Sequence, residues 1–293
     1  MDKNRSFSVF TCENTDDGGE RSIMLDDFRK KIKKHPKLYN LLFMVFIFGS
    51  RQIRFLYGYF LRAAGIKGKQ DYSAIKAFKG IHMGKRCFIV GTGPSLTMED
   101  LQLIKNEYSF SVNSIVLSFE DTDWRPDYYA IQDKFAYIRL SDAIKHAGMP
   151  YIFNGISDKL MTPVMDIDYI PFPLNLLDHG KMIPNHITKF SPDAYKVVYA
   201  GHSITYSVIQ LAVYMGFKEI ILLGVDCDYS KPVNHIKAYS QQNDRNAAYL
   251  MRESFKVAKK YADKHGIKIL NATRNATLDV FEKVELEKLN EKV

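Results

Sequence analysis

The stretch Arg86-Cys-Phe-Ile-Val-Gly-Thr-Gly-Pro-Ser-Leu96 decides the fold. A short apolar run passes directly into a Gly-x-Gly-Pro-Ser turn, and a helical pattern, TMEDLQLIKN, follows over Thr97–Asn106. Gly91 and Gly93 carry no Cβ, so they can take φ > 0 and let a ligand approach the backbone. Pro94 fixes φ on the way into the helix, and Ser95 or Thr97 can cap it. Strand, turn and helix together gather backbone N–H groups at the positive end of a helix dipole, where a phosphate can bind. The third glycine of the dinucleotide fingerprint is missing: Leu96 stands in its place. No P-loop motif is present either, and nicotinamide hydride transfer is not expected. The same turn would also serve as a plain strand-to-helix connection.

At 293 residues the chain can hold one sizeable α/β domain and an appendage, and 46% hydrophobic residues suffice for a packed core. Cys12, Cys87 and Cys227 are too widely spaced for a disulfide framework or a zinc pattern, which fits a reducing compartment. Asn271-Ala-Thr and Asn275-Ala-Thr match the glycosylation pattern but, with no secretory signal, read as turn residues.

The net charge of +8 is concentrated in one place. Residues 29–69 hold eleven Lys and Arg and no Asp or Glu, so the rest of the chain nets −3. A mildly acidic body argues against nucleic acid as its substrate. Residues 1–27, polar and rich in Gly and Asp, read as a disordered tail. Residues 28–70 read as a basic, apolar helical appendage: RKKIKKHPK precedes LYNLLFMVFIFGSRQIRFLYGYFLR. The apolar run Leu41–Phe48 is too short to span a bilayer. Basic charge beside Phe, Leu, Tyr and Met at helical spacing suits an anionic membrane surface, which implies a cytoplasmic protein peripheral to the inner face of the membrane. A helix packed on the domain, with solvated lysines, is the alternative.

From Asp71 onward, strands and helices alternate. Strands are expected at Arg86–Val90, Ser109–Asn113, Tyr128–Gln132, Tyr151–Asn154, Glu219–Leu223 and Ile267–Leu270. Helices are expected at Phe135–Ala147, Ser203–Met215 (closed by Gly216) and Asp244–His265 (stopped by Gly266). Residues 163–198, with weak periodicity, read as an insertion covering substrate. This alternation predicts a Rossmann-like α/β fold: a mostly parallel sheet with helices on both faces. Ligands then sit beyond the C-terminal strand ends. Thr92, Ser95, Asn113, Gln132, Asp133 and the segment Gly224-Val-Asp-Cys-Asp-Tyr229 collect there, and the helix start with His202, Ser203 and Thr205 opens onto the same rim. Each has a plainer reading: Asn113 can end a strand, Asp133 cap a helix, and Asp226 make an Asx turn.

Taken as a set, VGTGPSL, Asn113, PDYYAIQD, GFKEIILLGVDCDY, His235 and LNATRNATLDVFEKV resemble the MptE-like (6-hydroxymethylpterin diphosphokinase-like) domain family over about residues 80–290. GTGPSL and ITYSVIQLAVYMGFKEIILLGVD are similar, more weakly, to Cst-type bacterial sialyltransferases. By this resemblance Gly91, Thr92, Gly93, Pro94, Ser95 and Asn113 bind a nucleotide, with Gln132 and Asp133 on the same rim. Ser203 and Thr205 then lie near its phosphate, and Tyr229 is a candidate phosphate ligand.

The implied activity is a glycosyltransferase of surface polysaccharide or glycoconjugate synthesis. It would use a nucleotide-sugar donor, such as a CMP-nonulosonate, and a glycan or lipid-linked acceptor, with no cofactor required. His235 is the candidate base and, with Asp226 and Tyr229, makes up the candidate catalytic set; His202 is in reserve, and His179 and His186 are lid or loop residues. The alternatives are a diphosphokinase using ATP, with Mg²⁺ held by Asp226 and Asp228, and a non-catalytic nucleotide-binding subunit.

Overall fold

The computed structural model describes residues 35, 49–66, 71–156, 167–176, 188–228 and 247–290. The expected tail at 1–27 lies outside them. The chain divides into two units, Met1–Arg51 and Gln52–Val293, and the second contains all the strands described below.

Strand β1 (Arg86–Val90) is buried on both faces from Cys87 to Val90, as a central parallel strand requires. Parallel to it on one side run β2 (Ser109–Val112), β3 (Tyr128–Ile131), β4 (Tyr151–Asn154) and the two-residue β5 (Ile170–Pro171). β6 (Leu174–Asn175) and β7 (Val198–Tyr199) form a separate two-stranded parallel sheet. On the other side of β1 run β8 (Glu219–Leu223), β9 (Lys268–Asn271) and β10 (Glu282–Lys283), again parallel. The main sheet therefore has the order β10-β9-β8-β1-β2-β3-β4-β5. The chain leaves β1 toward β2 and returns on the far side at β8, so the order reverses between β1 and β8.

Alternate residues of each strand feed two separate cores. Cys87, Ile89, Phe110, Val112, Ile220 and Leu222 meet α4 (Ile204–Tyr214) and α5 (Ala247–Lys264) on one face. Phe88, Val90, Tyr129, Ile131, Ile221 and Leu223 meet α2 (Met98–Leu103), α3 (Lys134–His146) and α6 (Leu286–Asn290) on the other. Burial of each such side chain contributes about 1.5–3 kcal/mol, enough for the two-sided pattern to override local preference. The parallel α/β architecture with helices on both faces is thus as the sequence predicts.

Three details differ from the sequence reading. The first helix is shorter than Thr97–Asn106: Ile104 leaves helical geometry at φ −106°, ψ 14°. The N–H groups of Lys105 and Glu107 then close tight turns on Gln102 and Ile104. β2 stops before Asn113, whose φ of 46° cannot continue a strand. Residues 163–198 contribute β5, β6 and β7 rather than only a covering loop. Helix α1 (Gly49–Ala63) belongs to the basic appendage and is tied to β6 and to the segment that precedes β7. Its Gln52 Oε1 accepts from Asn175 Nδ2 at 3.2 Å, and Arg62 donates from Nε and Nη2 to the Lys196 carbonyl at 3.1 and 2.8 Å. Among the described residues no helix is long and apolar enough to cross a membrane.

Candidate functional site

The C-terminal ends of β1 and β8 continue into two loops, 91–97 and 224–228, that meet across the reversal point. Gly91 N–H donates to the Leu223 carbonyl at 2.7 Å, and Gly93 N–H donates to the Gly224 carbonyl at 2.8 Å. These two N–H groups, expected to face an anion, are spent on holding the loops together. Neither glycine has a positive φ; the glycine requirement comes from close approach. A Cβ on Gly93 would fall on the Asp226 carboxylate and lie 2.7 Å from the Gly224 carbonyl oxygen. Gly224 itself sits at φ 66°. Thr92 is buried in the turn, Pro94 is exposed, and Ser95 Oγ donates to Asp226 Oδ2 at 2.9 Å.

Thr97 is the helix cap. Its hydroxyl accepts from Asp100 N–H at 3.2 Å, while Asp100 Oδ2 accepts from Thr97 N–H at 3.1 Å, a complete capping box. The start of α2 thus satisfies two of its donors within the box, the N–H groups of Thr97 and Asp100. Asp100 is fully buried, and its Oδ1 takes Arg274 Nε at 3.1 Å and Nη2 at 2.7 Å.

Further along the rim, Asn113 begins a 3₁₀ turn (Asn113–Ser118) in left-handed geometry. Its carbonyl accepts from the Tyr129 hydroxyl at 2.8 Å, while its Oδ1 is buried with no partner among the described residues. Gln132, just past β3, accepts at Oε1 from Ser207 Oγ at 2.7 Å and so ties the strand end to the first turn of α4. Asp133 is exposed and caps α3, accepting from Ala136 N–H at 2.8 Å. Gly201 and His202 are consecutive left-handed residues, φ 57° and 58°, leading into Ser203. Ser203 caps α4 and accepts from the N–H of the buried Thr205 at 3.2 Å.

Asp226 and Asp228 are both half-buried. Val225 N–H donates to Thr273 Oγ1 at 2.9 Å, and Thr277 Oγ1 donates to the Asp226 carbonyl at 3.0 Å. Cys227 lies between the two aspartates at φ 52°; burial pushes its thiol up to about 12, so it stays protonated and is no nucleophile at neutral pH. Among the described residues no group of three or more His, Cys, Asp or Glu side chains gathers to hold a metal ion. As Mg²⁺ ligands the two aspartates would supply the one or two carboxylates that ion accepts, with one oxygen of Asp226 already bonded to Ser95. Tyr229 and His235, and with them the proposed phosphate ligand and base, lie outside the described residues, as do His179 and His186.

Two buried amides support the rim: Asn271, which the sequence marks only as a turn residue, and Gln210, which the sequence reading does not single out. Asn271 is buried: its Nδ2 donates to the Leu278 carbonyl at 3.0 Å and its Oδ1 accepts from Thr273 N–H at 3.0 Å. The segment after β9 thereby braces the aspartate loop, and Asn271 is the last residue of β9 rather than the turn residue its sequence context suggests. Gln210 is fully buried in α4 and accepts from the N–H of Ser191 at 3.1 Å and of Tyr199 at 3.0 Å. A lone amide in the otherwise apolar run VIQLAV was the available signal.

Fold and rim together define a Rossmann-like protein related to nucleotide-binding and transferase families. Residues 66–232, more than half of the chain, match the family described as 6-hydroxymethylpterin diphosphokinase MptE-like, and the chain belongs to that MptE-like family. Among solved structures, the MAf glycosyltransferase from Magnetospirillum magneticum AMB-1 is distantly similar, with 15% sequence identity and a TM-score of 0.47. The similarity covers 74% of this chain and 38% of that one. A comparison with curated proteins found no match.

Proposed function

We propose that the chain is a transferase that binds a nucleotide-sugar donor along the rim beside β1 and moves the sugar to a glycan or lipid-linked acceptor. The observation that carries this reading is Asn113. Its backbone is held in left-handed geometry at the end of β2, one strand from the reversal point, with a buried amide oxygen that has no partner among the described residues. A strained residue with an unsatisfied polar group beside a topological switch point is what a nucleotide site would need.

In the proposed reaction the acceptor hydroxyl attacks the anomeric carbon, the bond to the donor phosphate breaks, and the hydroxyl proton passes to a base. His235 is the proposed base by residue type, with His202 at the α4 entry as the second choice. Charge on the departing phosphate would be met by Tyr229 and by the start of α4 at Ser203 and Thr205. No cofactor enters this scheme. Asp226 supports it by being used elsewhere: its carboxylate bonds Ser95 and packs on Gly93.

The second reading is diphosphate transfer from ATP, favoured by the description of the matched family. Asp226 and Asp228 would then hold Mg²⁺, which would bridge and neutralise the transferred phosphates. A thermal-shift series with CMP, CDP, UDP, GDP and ATP compounds, with and without Mg²⁺, separates the two, because a ligand of the native state raises the melting temperature. Stabilisation by a nucleotide of the sugar-donor type without Mg²⁺ is the expected result. Stabilisation by ATP alone, and only with Mg²⁺, overturns it.

A further inference from the structure

Helix α1 has two apolar faces, and the protein covers one of them. The inner face is fixed by Gln52 and Arg62, whose guanidinium also lies over the rings of Phe55 at 5.5 Å and Tyr72 at 5.1 Å. Burial lowers the Arg62 pKa, consistent with this inner position. The outer face carries Ile53, Leu56, Tyr57 and Phe60, exposed by 68%, 50%, 67% and 64%. Their spacing of i, i+3, i+4 and i+7 makes one continuous stripe along the helix. By contrast, the exposed positions of α5 carry Lys256, Lys260, Asp263 and Lys264 with one aromatic, Tyr249, and no continuous apolar stripe.

Charge indicates what covers the stripe. Helix α1 contains no acidic residue, Arg54 is exposed beside Ile53, and the sequence from 29 to 69 holds eleven cations and no anion. A second copy paired stripe to stripe would bring like charge against like charge. A surface that is anionic outside and hydrocarbon beneath satisfies both features at once. We infer that the Ile53–Phe60 stripe docks the protein on an anionic lipid bilayer, with the apolar side chains entering the headgroup boundary and the exposed Arg54 meeting lipid phosphates.

The test is co-sedimentation of the full chain with phosphatidylcholine vesicles, with and without phosphatidylglycerol, beside the double variant Ile53→Glu, Phe60→Glu. The parent is expected to bind the anionic vesicles and to be released as salt rises from about 0.1 M to about 1 M, where the screening length drops from about 10 to about 3 Å. The variant is expected to bind at least about tenfold more weakly, with an unchanged melting temperature because both positions are exposed. Equal partitioning of the parent onto neutral and anionic vesicles overturns the proposal, as does failure to bind either. A variant that binds vesicles like the parent overturns it too. If that variant also melts lower, the stripe is covered from within the same chain; if it turns a dimer into a monomer, a second copy covers it.

Discussion

Ser95 and Asp226, 131 positions apart in sequence, join across the reversal of strand order: the serine hydroxyl donates to Asp226 Oδ2 at 2.9 Å. With the two backbone bonds from Gly91 and Gly93, this contact closes the β1 loop onto the β8 loop. A nucleotide on this rim would lie over a latched pair of loops, toward Asn113 and the start of α4, rather than between them.

The latch makes Gly93 a packing residue. Gly93→Ala places a methyl group on the Asp226 carboxylate and against the Gly224 carbonyl. A loss of about 1–3 kcal/mol in urea unfolding is expected, as for other overpacked sites. Part of it should return in Gly93→Ala combined with Asp226→Ala, which vacates the space beside the new methyl. A neutral Gly93→Ala would show that the loops do not meet in this way.

Asn113→Gly separates stability from function. Glycine takes φ of 46° without steric cost but gives the unfolded chain more freedom, so stability should stay within about 1 kcal/mol of the parent. The nucleotide-induced rise in melting temperature should be lost, because the buried amide goes with the side chain. An undiminished rise would remove Asn113 from the site.

Arg274 neutralises a carboxylate that is fully buried. Arg274→Ala leaves Asp100 with its capping bonds but no cation, and a loss of about 2 kcal/mol is expected, the scale of hydrogen bonds to a charged group. Replacing Glu287, the exposed second partner of Arg274, should cost less than about 1 kcal/mol. Equal losses in the two variants would contradict the assignment of Asp100 as the dominant partner.

His82 gives the fold a dependence on acid. Its ring is buried, stacked on Phe217 with centroids 4.6 Å apart, and its Nε2 is 2.7 Å from the Tyr128 hydroxyl. Burial first, and Lys85 second, hold its pKa below the ordinary value of 6.5. Below pH 6.5 the unfolded chain takes up a proton that the folded chain resists, so this contribution is whole above that value and is lost as pH falls toward the lowered folded value. Urea melts at neutral and mildly acidic pH should show a larger loss for the parent than for His82→Phe. Equal losses would rule the residue out as a source of acid sensitivity.

Much of the fold was legible because parallel strands leave a strong local trace. RCFIV and EIILL are apolar without alternation, and the helices α4 and α5 are stopped at Gly216 and Gly266, which adopt φ of 94° and 62°. Strand order was not legible, since it depends on pairings such as Cys87 with Ile220 that no local signal carries. β5, β6, β7 and β10 were missed because two-residue strands have no period to detect. At the site, residue types were read correctly as polar groups at strand ends, but not what they bond. Asp133 takes the plain role of a cap, while Gln132, Ser95 and Asp226 bond neighbours from distant parts of the chain. The bracing by Asn271, Thr273 and Thr277 depends on the β8–β9 pairing and so follows from topology alone.

Donor turnover in the presence of EDTA, compared between the parent and His235→Gln, tests the proposed sugar transfer most directly. Glutamine keeps a polar side chain of similar reach but takes no proton near neutral pH, so donor binding should persist while turnover falls by about 10²–10⁴-fold, the worth of a positioned base. The account predicts that the parent transfers sugar from a nucleotide donor at the same rate with and without EDTA. Turnover of ATP that EDTA abolishes, with His235→Gln close to the parent, would contradict it and establish metal-dependent diphosphate transfer instead.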